Sequence, residues 1–221
     1  MKYELTDETC RQYGRTLHRI RALRGISRHG VQEGDLGGWV ESESNLSQDG
    51  DAWIGGDARI SGNARIRGNA RVGGNALIYG NALIYDSARV GGNARIYDNA
   101  RIYDNALIYD SARVGGDARI YGNALIYGNA RVGGDARIDN PTCLLTATIF
   151  TSQALHATAF RQKDGSWRVR VGCWAGSIAE LRALAESDEW VETEGDDIEE
   201  ARPELLAFVV LCEARAARPV A

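Results

Sequence analysis

The chain has almost no lysine: of its 26 basic residues only Lys2 and Lys163 are Lys, and the rest are Arg. It has three prolines and three histidines in 221 residues, against 26 glycines. Its four cysteines, Cys10, Cys143, Cys173 and Cys212, are scattered and form no CxxC pair. They read as reduced thiols of a cytoplasmic protein rather than as a disulfide frame. The longest apolar run, Leu205 to Leu211, falls far below the roughly 20 residues a spanning helix needs. The opening, Met1 to Cys10, is too polar for a signal peptide. A formal charge of -4 is too mild to announce a nucleic-acid or membrane partner. With 44% hydrophobic and 25% charged residues, the composition also excludes a disordered tail and a collagen-like fibre.

What is present is a repeat. From Ile54 to Ile138 an Ile or Val recurs every six residues, through fifteen hexads without a break. Ala stands two positions earlier each time, from Ala52 to Ala136, preceded by Asn, Asp or Ser. Two positions later stands Gly in ten hexads, Asp in four (Asp86, Asp98, Asp104, Asp110) and Asn140 once. Residues two apart share one side of an extended strand, so Ala and Ile/Val form an inner face. Gly, Asn and Asp tolerate the positive φ of a tight corner. Stacked Asn side chains can bond from rung to rung. Such a strand cannot bury its inner face alone, but stacked coils can.

The hexads, with an aliphatic residue, a turn Gly and a small residue four positions on, resemble the hexapeptide repeat of left-handed parallel β-helices. That resemblance implies three hexads per triangular coil, hence five regular coils over 51–140. Residues 1–50 supply a cap, with Val40 and Leu46 continuing the rhythm before a two-residue insertion ahead of Ile54. The stretch Gly34-Asp35-Leu36-Gly37-Gly38-Trp39-Val40-Glu41, with Asn45-Leu46-Ser47, resembles the opening of hexapeptide-repeat proteins encoded by bacteriophages and prophages. Tyr3-Glu4-Leu5-Thr6 and Gly14 to Leu23 match that opening too. Such proteins commonly trimerise through the prism.

After Pro141 the composition changes, and residues 141–221 read as a small α+β domain. Strands over His156–Gln162 and Trp167–Trp174 flank Lys163-Asp164-Gly165-Ser166, with Asp-Gly read as a two-residue loop. Helical patterns follow at Ser177–Ser187 and Pro203–Arg215, giving a ββαα order. The hairpin and Gly172-Cys173-Trp174 resemble the module that accompanies the repeat in the same phage proteins.

Hexapeptide-repeat acyltransferases generally use a His near a coil junction, and the related carbonic anhydrases hold a metal through three His. Residues 51–140 contain neither His nor Cys. A two-residue loop places His156 across from Cys173, but on a face shared with Phe160, Trp167, Val169 and Val171, so core packing is the first reading of that pair. The spacing of Cys143, His156 and Cys173 is not diagnostic of a metal site. No metal and no cofactor are expected.

The outward residues form columns. One face carries Arg65, Leu83, Arg101, Arg119 and Arg137, with Tyr85, Tyr103 and Tyr121 on a parallel line. Arg stacked over Arg at ~4.8 Å repels, so something anionic must offset the row: the corner Asp residues, a partner's carboxylates, or phosphates. The combination suits single-stranded nucleic acid; the plain alternative is that Arg and Tyr simply cover the sheet. On another face Leu107, Tyr109, Leu125 and Tyr127 make an exposed apolar patch, which reads as a homo-oligomer contact, in a dimer or trimer. Glu186 to Glu200 holds nine acidic residues, either a solvated link or a mimic of a phosphate backbone.

The expectation is a non-catalytic, phage-type binding or scaffold protein in the host cytoplasm. It would engage a host protein or nucleoprotein complex, as an inhibitor of a bacterial defence complex, and no membrane. Partner residues would be Arg101, Arg119, Arg137, Tyr85, Tyr103 and Tyr121. Two alternatives stand beside it: an acyltransferase with an inter-subunit site using His18, His29 or His156, and a structural phage component.

Overall fold

The computed structural model describes residues 1–150, 154–187 and 198–218. Strands β1 (Tyr3–Gln12), β2 (Arg15–Ala22) and β3 (Leu36–Val40) lead into fifteen two-residue strands, β4 to β18, running from Trp53–Ile54 to Arg137–Ile138. They are followed by β19 (Leu144–Phe150), β20 (Ala154–Arg161), β21 (Trp167–Val171), β22 (Trp174–Ser177), α1 (Ile178–Glu186) and α2 (Ile198–Ala216).

The short strands build a three-sided parallel β-solenoid. Each pairs in parallel with the strand eighteen residues on, as Arg101–Ile102 does with Arg119–Ile120. Every hexad Ala, Ile and Val points inward and none is more than 3% exposed. The corners take the left-handed backbone, Gly122 at φ +59° and Asp104 at φ +55°. Gly122 has no alternative, since a Cβ there would stand 2.4 Å from the Asp139 carbonyl oxygen. Asn side chains bond along the stack: Asn63 Nδ2 donates to Asn81 Oδ1 at 3.0 Å, and Asn81 Nδ2 to Asn99 Oδ1 at 2.9 Å.

The solenoid has about six turns rather than five. The N-terminal segment supplies the extra one, because Val40 pairs with Ile60 and Leu46 bridges to Ile66 in the same parallel register. Asn45, fully buried, accepts from the Glu41 and Ser42 amides and donates to the Gly62 and Ala64 carbonyls. The antiparallel β1–β2–β3 sheet then covers the open end. Tyr3 closes that end, its ring fully buried and its hydroxyl donating to the Leu46 carbonyl at 2.7 Å.

At the other end the C-terminal domain differs from the expected ββαα order. Its sheet has four antiparallel strands, β19–β20–β21–β22, packed with two helices. The β20–β21 loop holds three residues rather than two: Arg161 pairs with Trp167, and the Gln162 amide donates to the Ser166 carbonyl at 2.8 Å. Gly165, at φ +87°, takes the third loop position. That single-residue slip changes which side chains share a face. His156 therefore stands opposite Gly172, whose amide donates to the His156 carbonyl, and not opposite Cys173. Phe160 and Val169, expected together, lie on opposite faces. Phe160 joins Cys143 and Leu144 in closing the end of the solenoid, whereas Val169 and Val171 pack with Leu181, Leu205 and Phe208 of the helices. Helix α1 is capped by Ser177, whose Oγ accepts from the Glu180 amide while the Glu180 carboxylate accepts from the Ser177 amide. Within the acidic stretch expected over Glu186–Glu200, residues 188–197 lie outside the described residues. No helix among the described residues is long and apolar enough to cross a membrane.

The N-terminal end carries one costly group. Lys2 is 1% exposed and its Nζ has no hydrogen-bond partner. Burial, aided by the nearby Arg24 guanidinium, lowers its pKa from 10.5 to about 8. The folded state thus disfavours the charged form, so this cost is full below about pH 8 and fades as the pH rises toward 10.5. Replacing Lys2 with Met should raise stability at pH 7 by about 1–2 kcal/mol. Denaturant melts at stepwise higher pH should show the gain shrinking above about pH 8.

Candidate functional site

The outward side of the Ile66–Ile138 face is built by the repeat itself. Because each rung lies in register with the next, identical residues in successive turns must stack. Arg101 pairs with Arg119 and Arg119 with Arg137, forming a row of three guanidinium groups. Arg101 and Arg119 are exposed and Arg137 is half-buried.

The sequence left three candidates to offset this row, and the structure shows that the first, the corner Asp residues, form no direct ion pair with it. The corner carboxylates are turned along the stack, toward the backbone. Oδ2 of Asp98 accepts from the Gly116 amide, that of Asp104 from Gly122, and that of Asp110 from Gly128, each at 3.0 Å. This explains why Asp replaces Gly at these left-handed corners: its carboxylate takes a backbone donor of the next turn. Among the described residues, no carboxylate lies within ion-pair distance of Arg101, Arg119 or Arg137.

The three Arg line a cleft of about 260 Å³ together with Asn99, Asp117 and Asp135. Asn99 Nδ2 donates to Asp117 Oδ1 at 3.0 Å, which engages one of the two acids. The fourth cation of the cleft is Lys163, which sequence reasoning treated only as a turn residue. Its placement follows from the loop after β20 folding back on the last coil, where the Lys163 amide donates to the Asp135 carbonyl at 3.0 Å. No local signal in the sequence brings that loop to the Arg row.

Tyr85, Tyr103 and Tyr121 run parallel to the Arg, on the other side of the inward Ile column. Their rings stack on one another, with centroids 4.9 and 5.1 Å apart and planes within 9° and 4°. These distances match the rung spacing of ~4.8 Å. The expected free stacking platforms are therefore occupied by each other, and no base fits between them. Burial and the neighbouring Tyr push the Tyr85 and Tyr103 phenols upward, so both remain neutral donors near pH 7.

The apolar patch on the Ile54–Ile126 face is assembled as expected. Leu107 pairs with Leu125, and the Tyr109 and Tyr127 rings stack at 5.8 Å. Leu107, Tyr109 and Tyr127 are 38%, 37% and 43% exposed, with Leu125 half-buried.

The three histidines are not brought together within one chain. His18 lies on β2, with Nδ1 3.4 Å from the Thr6 carbonyl. His29 sits in a short 3-10 turn, its pKa lowered by burial and by Arg71. His156 is at the opposite end of the solenoid, in a small cleft beside Tyr127. Cys143 and Cys212 are buried thiols whose pKa values burial raises, Cys212 to about 12, the reverse of what a nucleophile needs. Among the described residues, no group of three His, Cys, Asp or Glu converges to hold a metal.

Four stretches, residues 58–74, 76–92, 100–116 and 118–134, match the family model described as the YdcK Beta solenoid repeat. Each match spans about one coil, and together with the parallel register they make the chain a repeat β-solenoid protein. No curated protein shows a significant match to the chain.

An unpaired Arg row has a measurable electrostatic signature. Replacing Arg119 with Gln should leave the fold intact and raise stability at low ionic strength by about 0.2–1 kcal/mol, through relief of cross-strand repulsion. Thermal melts of parent and variant should converge at about 1 M salt, where the screening length is near 3 Å.

Proposed function

We propose that the protein is a non-catalytic binding scaffold whose Arg101–Arg119–Arg137 row engages an anionic surface of a host macromolecule. The observation that carries this reading is that the corner carboxylates of Asp98, Asp104 and Asp110 bond to backbone amides and no carboxylate among the described residues forms an ion pair with the guanidinium row, whose cleft gathers four cations against Asp117 and Asp135. Guanidinium groups are permanently charged and make forked hydrogen bonds to carboxylates and phosphates. The phenol edges of Tyr85, Tyr103 and Tyr121 add donors alongside. Because their ring faces are already stacked, a protein or nucleoprotein partner with surface carboxylates or backbone phosphates suits this face better than free single-stranded nucleic acid.

In this reading the Leu107–Tyr109–Leu125–Tyr127 patch serves self-association into a dimer or trimer, which multiplies the rows presented to the partner. The resemblance of residues 1–50 to phage-encoded repeat proteins supports reading the activity as one in a host cytoplasm, against a bacterial defence complex.

The test is affinity purification of the tagged protein from host cells, split into nuclease-treated and untreated halves and read by mass spectrometry. A stoichiometric host protein or nucleoprotein is the expected result. Changing Arg101, Arg119 and Arg137 together to Glu should abolish that capture while leaving the melting transition cooperative. Capture that survives the reversal would assign the contact to another face. Turnover of an acyl-coenzyme A or copurification with virions, with no host partner, would replace this reading by the enzymatic or the structural one.

A further inference from the structure

A cleft of about 730 Å³ lies along the same corner as the Arg-row cleft but nearer the N-terminal end, where the tip of the β1–β2 hairpin overhangs the solenoid wall. The tip is strained. Gln12 pairs with Arg15, so Tyr13-Gly14 is a two-residue turn, and both residues have positive φ, +49° and +76°. A turn of this kind favours Asn-Gly, because a bulky residue at positive φ clashes with its own backbone. Tyr13 is nevertheless there, 71% exposed, and so gains little burial in return for the strain. Its ring leans over the cleft, 6.3 Å from Tyr79 and tilted by 60° to it. A strained, exposed aromatic at the mouth of a cleft is a mark of function rather than of packing.

The cleft's chemistry narrows the ligand. Its one guanidinium, Arg15, is held by both oxygens of Glu41, at 2.8 and 2.7 Å, and Glu41 Oε2 also accepts from the Gly62 amide at 2.7 Å. The charged pair is thus neutral overall, which leaves the cleft without an uncompensated cation to favour a phosphate or carboxylate. The remaining walls carry Ser42, Ser44, Ser61, Asn63 and Asn81, hydroxyls and amides that both donate and accept. Two tilted aromatic rings above a floor of uncharged polar groups match a molecule with flat C–H faces and a rim of hydroxyls. We infer that this cleft binds a neutral carbohydrate, with Tyr13 stacking on a sugar face while the Ser and Asn groups bond its hydroxyls. The volume suits a ligand of about two sugar rings. The cleft shares no lining residue with the Arg-row cleft, so the two proposals are tested by different variants.

The test is saturation-transfer NMR on the full chain with maltotriose, cellotriose and N-acetylated chitotriose as probes. At least one should bind, with Kd on the order of 1 mM, as expected for a shallow open cleft. Replacing Tyr13 with Asn should weaken that binding by at least about tenfold, through loss of the stacked ring. The same change should raise Tm by about 2–4 °C, since Asn-Gly suits the turn. Tyr13→Phe keeps the ring and should keep the binding. Absence of transfer to all three sugars at about 10 mM, ten times that Kd, would overturn the proposal. So would a Tyr13→Asn variant that binds as the parent does.

Discussion

Everything in this molecule depends on one constraint: eighteen residues must close a turn whose inward Ala and Ile/Val side chains meet those of the next turn. No single turn can bury its own inner face, so the solenoid gains stability only by stacking. The left-handed corners make the closure, and only Gly or Asp occupies them in the repeat. Once register is fixed in this way, every outward column follows, because each residue must lie above its counterpart one turn later. The open ends follow as well. Tyr3 under the N-terminal sheet and Phe160 under the C-terminal sheet fill positions that another turn would otherwise fill.

Stacking like on like is favourable for some side chains and costly for others. Asn on Asn becomes a hydrogen-bonded ladder, and Tyr on Tyr becomes a ring stack at the rung spacing. Arg on Arg gains nothing of the kind. The corner Asp residues are the natural counter-ions, yet their carboxylates accept from backbone amides of the following turn. The same rule that stabilises the corners turns these carboxylates away from the guanidinium row, which has no ion-pair partner among the described residues, and this supports the proposed binding role. Lys163 extends the row because the C-terminal domain docks on the last coil, with the Arg131 amide donating to Thr158 Oγ1 at 3.1 Å.

Much of this was legible in the sequence. The six-residue rhythm identifies the solenoid, its inner columns, its corners, the Arg and Tyr rows and the Leu–Tyr patch. These are periodic features, and periodicity survives without knowledge of tertiary contacts. Aperiodic features were not legible. The β20–β21 loop takes three residues although Asp-Gly suits a two-residue turn, because only Gly165 takes the left-handed backbone, whereas such a turn needs positive φ at Asp164 as well. His156 and Phe160 then turn toward the solenoid, and the suspected His156–Cys173 pairing disappears. The sixth turn was readable in Val40 and Leu46, but its closure rests on the buried amide of Asn45, outside the regular hexads. The direction of the corner carboxylates, the mutual stacking of the Tyr rings and the overhang of Tyr13 depend on rotamers and on contacts between elements far apart in sequence.

The central proposal is that the Arg row of the Ile66–Ile138 face meets the partner. A photo-crosslinking side chain placed at Arg119, and in a separate variant at Arg113 on the Ile60–Val132 face, tests it most directly. Both positions are exposed and lie in consecutive hexads of the same turn, so they differ in the face they present and little else. Irradiation in host cells should join the partner to the Arg119 variant and leave the Arg113 variant free. Crosslinking at Arg113 with none at Arg119 would contradict the account.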